Sequence, residues 1–151
     1  MVQLSEESRG IARDLLLRAN RRLDGAAAAI AREDITEGEL INHFDGVVVS
    51  LFQIAASVEL TRTSLHQKVS EDEEAELIRS AIVTLNAAKA ESVPASARLL
   101  DLNRRYRDSM HGRSSGALDR TVLEDTIAVG RQFCRAARVY AEHLGVTFAR
   151  E

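Results

Sequence analysis

The chain has one proline, one cysteine, no tryptophan and, among its 20 basic residues, only two lysines, Lys68 and Lys89. Each scarcity excludes something. A lone proline, at position 94, leaves long stretches with no residue that breaks a helix. Aromatic residues are 4% of the chain, so a core has to be assembled from Leu, Ile, Val and Ala. Cys134 cannot form an intramolecular disulfide by itself, which suits a reducing compartment. No charged-then-apolar leader opens the chain, and no apolar run reaches the ~18 residues of a membrane span. The expectation is a cytoplasmic protein without a membrane partner. The formal net charge is -3, so no global basic field points to nucleic acid. The basic residues are nearly all arginine, whose fork matches phosphate and carboxylate.

What is present favours helix. The 151 residues suit one domain, and the 45% hydrophobic and 28% charged fractions are ordinary for a globular protein. Ile11, Leu15, Ala19, Leu23, Ala26 and Ile30 recur at helical spacing and predict a long helix over 4–32. Asp34-Ile35-Thr36 interrupts it, and Thr36 with Glu39 forms a capping-box pattern. A second long helix is predicted over 40–68; its middle, Val47 to Ala56, is apolar almost all round, as in a helix buried on several sides. Ser70 with Glu73 is a second capping box and opens a helix to about Ala90. Pro94 suits the first turn of a fourth, shorter helix that runs to about Met110. Gly112 to Gly116 reads as a loop. Asp119 or Thr121, with Glu124, caps a last long helix that Gly145 ends, and Val146 to Glu151 is a tail. The prediction is an all-α, up-and-down bundle of about five helices in a single domain over 1–151, two long N-terminal, two shorter and one long C-terminal.

Most chemistry-bearing patterns are missing. His43, His66, His111 and His143 are far apart, with no His-x-x-x-His, Cys-x-x-Cys or Glu-x-x-His spacing, so no metal is expected. There is no phosphate-binding glycine loop and no nucleophile elbow, and no cofactor is expected. Cys134, between Phe133 and Ala136, reads as a small buried hydrophobe. The acids from Glu71 to Glu76 fall on the first turns of the third helix, where the dipole favours them.

One stretch remains, "LNRRYRDSMHGRSSG", Leu102 to Gly116. From Arg98 to Arg113 there are five arginines against Asp101 and Asp108. On a helix continued to His111, Arg107 lies about 40° from His111 and Arg104 about 20° away on the other side. These three side chains share a face, with Asn103 at its margin and Arg105 about 120° off. Arginine can stabilise charge that develops on a phosphate, and histidine can move a proton. The alternative is a solvated, arginine-rich helix end with a polar cap.

The run Leu102-Asn103-Arg104-Arg105-Tyr106-Arg107-Asp108-Ser109-Met110-His111-Gly112, set between a bundle helix and a long last helix, resembles the HEPN superfamily (higher eukaryotes and prokaryotes nucleotide-binding). The family motif places four to six residues between an arginine and its histidine. Arg104 and Arg105 both fit that spacing, and Arg107 lies closer. The resemblance implies a metal-independent endoribonuclease that works as a homodimer, as a toxin or host-defence component, with RNA as substrate and an antitoxin or other protein as a further partner. Helical geometry favours Arg104 and Arg107 as partners of His111 and the family spacing favours Arg104 and Arg105, so Arg104, Arg107 and His111 are the catalytic candidates, and Asn103, Arg105 and Arg113 the substrate-binding ones. The alternative is a non-catalytic helical module that binds a protein partner or a nucleotide.

Overall fold

A computed structural model describes residues 4–60, 71–91, 93–110 and 120–148. The chain is all-helical, with five helices packed as a bundle: α1 Glu6–Ile30, α2 Glu37–Glu59, α3 Glu71–Ala87, α4 Ser96–Met110 and α5 Arg120–His143.

Local chemistry explains the first boundaries. Ser5 accepts a hydrogen bond from the Ser8 N–H (3.1 Å) and caps α1, with Glu6 and Glu7 in its first turn. Thr36 does the same for α2 through the Glu39 N–H (3.1 Å). Between them Arg32 bridges Asp34 (3.2 Å) and Glu39 (3.0 Å). The hydrogen bond from Arg32, and its charge, hold the Asp34 carboxyl below its ordinary range.

Four expected boundaries need correction. The second helix stops at Glu59, short of Lys68, because Leu60 turns left-handed (φ 56°) and its N–H closes back onto the Ala56 carbonyl. Thr61, Thr63 and Ser64 follow, all weak helix formers. Pro94 lies before the first turn of α4: the Arg98 and Leu99 N–H groups both donate to the Ala95 carbonyl, so Ala95 is the cap. Thr121 falls inside α5, which begins at Arg120, and therefore cannot cap it. The tail is no tail at its start: Val146 is 2% exposed in the core. Ser70 and Asp119, the other expected caps, lie outside the described residues.

Helix α2 is the hub. It packs most extensively along α1 and also against α3 and α5, whereas α4 is more lightly attached. Val47, Leu51, Ile54 and Ala55 of α2 are buried, with Leu23 of α1, Leu85 of α3, Leu99 of α4 and Phe133 of α5. By length and composition α2 would pass for a membrane span, but most of its apolar stretch is buried within the bundle. Ser50 and Ser57 are buried there too, each donating its hydroxyl to a carbonyl one turn back, Val47 and Ile54 respectively. At Gly130 α5 comes close to α1: a β-carbon there would lie 2.9 Å from Leu23 Cδ2.

Polar contacts then lock the ends. The Arg120 guanidinium donates to the Ile30 (2.9 Å) and Arg32 (3.0 Å) carbonyls, satisfying groups that the end of α1 leaves open. Arg13 donates to the Thr147 carbonyl at 2.6 Å, and Phe148 lies under the Arg138 guanidinium, 4.3 Å from ring centroid to carbon.

Candidate functional site

The arginine-rich stretch, as far as Met110, forms the second half of α4. The side chains that anchor this helix are Leu99 and Leu102, fully buried against the rest of the bundle. Their placement sets the rest of the wheel. Asp101 is half-buried, and Arg104 and Arg105, three and four residues on, are turned outward. Both arginines close on that one carboxylate: Arg104 Nη2 donates to Oδ1 at 2.8 Å, and Arg105 Nε to Oδ2 at 3.1 Å.

Arg104 and Arg105 start from positions about 100° apart on the helix, and both side chains reach Asp101, because three- and four-residue spacings both meet one position on a helix. The cluster carries two positive charges and one negative. The arginine side chains are 72% and 60% exposed, so the ion pairs contribute little to stability. Each guanidinium has five N–H donors, and Asp101 engages one of each.

Asn103, expected at the margin of the site, is turned inward and only 6% exposed. Its Oδ1 has no hydrogen-bond partner among the described residues. A buried carbonyl oxygen left open is costly, and only Gln53 of α2 shares this condition there. Leu102 and Asn103 are consecutive and both buried, so the helix face that enters the core is wide enough to take in the amide.

Arg98, part of the basic count, pairs with Asp125 of α5 at 3.5 Å. The sequence-level excess of positive charge ignored this acid because it lies 27 positions away. The side chain of Arg107, and His111 and Arg113 entirely, lie outside the described residues.

Elsewhere, Cys134 is 8% exposed, and burial pushes its thiol up to about 11, against the weaker opposing pull of Arg138 and Arg131. That fits the reading of a small buried hydrophobe. Among the described residues no group of three or more His, Cys, Asp or Glu could hold a metal ion. A larger concavity, which sequence reasoning missed, lies at the ends of α3 and α5. Its one sequence signal was Lys89, a rare lysine at the end of a helix.

No protein-family model, curated protein or solved structure matches this chain.

Proposed function

We propose that the chain is a HEPN-like endoribonuclease that cleaves RNA as a homodimer and uses no metal in the step. The observation that carries this reading is the pair Arg104–Arg105, exposed and gathered on Asp101, with His111 six to seven residues on in the sequence. The pair offers a preorganised set of guanidinium donors to a phosphodiester. In the step, the ribose 2′-oxygen forms a bond to the adjacent phosphorus and the bond to the 5′-oxygen breaks. A cyclic phosphate remains, and the departing 5′-oxygen takes a proton. The attacking 2′-hydroxyl gives up its proton to a solvent water, His111 in its protonated form supplies the proton to the 5′-oxygen, and Arg104 or Arg105 holds the charge on the phosphate. Dimerisation would set two such arginine clusters across one interface, so that a net acidic protein retains RNA.

The test is cleavage of single-stranded RNA in the presence of EDTA. Wild type is expected to leave 2′,3′-cyclic ends, with a loss of 100-fold or more in both Arg104→Ala and His111→Ala. Equal cleavage by wild type and His111→Ala, or none by a folded, dimeric wild type, overturns the reading.

One observation favours the second reading, a non-catalytic module that binds a protein or nucleotide. Asp101 already occupies both arginines and competes with any phosphate. Asp101→Asn separates the two. Under the ribonuclease reading it frees both guanidiniums, and RNA affinity rises several-fold in a fluorescence-polarisation titration. Under the other reading RNA affinity stays negligible in both proteins.

A further inference from the structure

A cavity of about 680 Å³ opens where α3 ends and α5 makes its last two turns. That volume lies within the range of small-molecule sites. Lys89, Arg135 and His143 line it as basic groups; Val139, Tyr140 and Leu144 supply apolar wall; Glu91 is the one acid.

Three features set these residues apart. First, the basic groups are free. Arg131 is committed to Asp24 (2.8 Å) and Arg138 to Glu142 (3.5 Å), on either side of Arg135 along the same helix. Among the described residues, the side chains of Arg135, Lys89 and His143 have no hydrogen-bond or ion-pair partner. In a chain of net charge -3, this sets two cations, Lys89 and Arg135, with a histidine beside a single lining acid, Glu91. Second, Lys89 is held at φ 57°, in the left-handed region. It closes α3 in a Schellman turn: the Ala90 N–H donates to the Leu85 carbonyl and the Lys89 N–H to the Asn86 carbonyl. Helix α5 ends in the same turn, Val146 to Ala141 and Gly145 to Glu142, with glycine at the left-handed position (φ 94°). The chain thus builds one turn twice, once relaxed with glycine and once strained with lysine, and the strained copy forms part of the cavity wall. Third, Val139 is 42% exposed, one of only two large hydrophobic side chains so open among the described residues.

We propose that this cavity binds a small organic anion, a carboxylate or phosphate carried on a ring-sized apolar body. Lys89 and Arg135 hold the charged head, and His143 adds a third donor. Val139, Tyr140 and Leu144 cover the ring. The site shares no lining residue with the α4 arginines and does not rest on the ribonuclease reading.

The chain has no tryptophan and two tyrosines, Tyr106 and Tyr140. A Tyr106→Phe background therefore makes Tyr140 the sole fluorophore at the site. Phenyl phosphate and benzoate are titrated into this protein and into wild type, by tyrosine emission and by calorimetry. At least one of the two is expected to bind saturably, one to one, with a change in Tyr140 emission. Lys89→Gly and Arg135→Gln each weaken that binding about tenfold or more, and Arg79→Gln on α3 leaves it unchanged. Lys89→Gly suits the left-handed backbone, so its thermal midpoint stays level or rises, and lost binding cannot be assigned to unfolding. Inorganic phosphate and benzyl alcohol, the head and the body alone, bind at least tenfold more weakly. The proposal is overturned if neither anion binds wild type. It is equally overturned if either half binds as well as the whole, or if the double variant Lys89→Gly/Arg135→Gln binds undiminished.

Discussion

The Cys134 thiol is enclosed by α1 and α5, and its pKa of about 11 follows first from that burial. An unfolded thiol titrates near 8.5–9. The folded state therefore keeps its proton over a pH range in which the unfolded state has lost it. The stability this contributes is fully present below pH ~9 and disappears as the pH rises through about 11; two pKa units correspond to roughly 2–3 kcal/mol. The expected outcome is a steeper fall in urea stability between pH 8.5 and 11 for wild type than for Cys134→Ala. Native Cys134 should also react with iodoacetamide much more slowly than the unfolded chain at pH 8, since the thiolate is the reactive form.

Helices respond to their glycines in opposite ways. Gly46 lies inside α2 with open space around the position a β-carbon would take. Gly46→Ala should stabilise by about 0.5–1 kcal/mol, because alanine loses less backbone freedom on folding. Gly130 has the same helical backbone, but its added methyl would press on Leu23, a fully buried residue with nowhere to go. Overpacking there exceeds the propensity gain, and Gly130→Ala should lose on the order of 1 kcal/mol. Denaturant midpoints of the two variants check both signs. The difference between these glycines could not be read from the sequence, since each is simply a glycine within a helical pattern. The helices themselves were legible, because a 3.6-residue period with hydroxyl caps needs only near neighbours. Helix ends were less so: Leu60 and Lys89 stop their helices in left-handed conformations that neither residue type signals.

Across the whole molecule the C-terminal segment belongs to the bundle. Val146 fills core space, Thr147 accepts from Arg13, and Phe148 meets Arg138. Val146→Ala should therefore cost roughly 2 kcal/mol, from two lost methyl groups and the space they leave. Val83→Ala, at a position 67% exposed, should change stability by less than about 0.5 kcal/mol. Thermal denaturation of the pair measures the contrast. If both variants behave alike, the segment is not seated in the core.

The all-helical class, the bundle, the apolar stripe of α1 and the enclosed middle of α2 followed from composition and period, because those signals are local and repeated along an element. The α4 arginines were visible as a charge cluster for the same reason. Their commitments were not. Arg98 answers to Asp125, Arg104 and Arg105 share Asp101, and Asn103 points inward. The concavity of Lys89, Arg135 and His143 joins residues up to 54 positions apart. These depend on which helix faces which. Folding sets that through the burial of side chains far apart in the chain, and no local pattern encodes it.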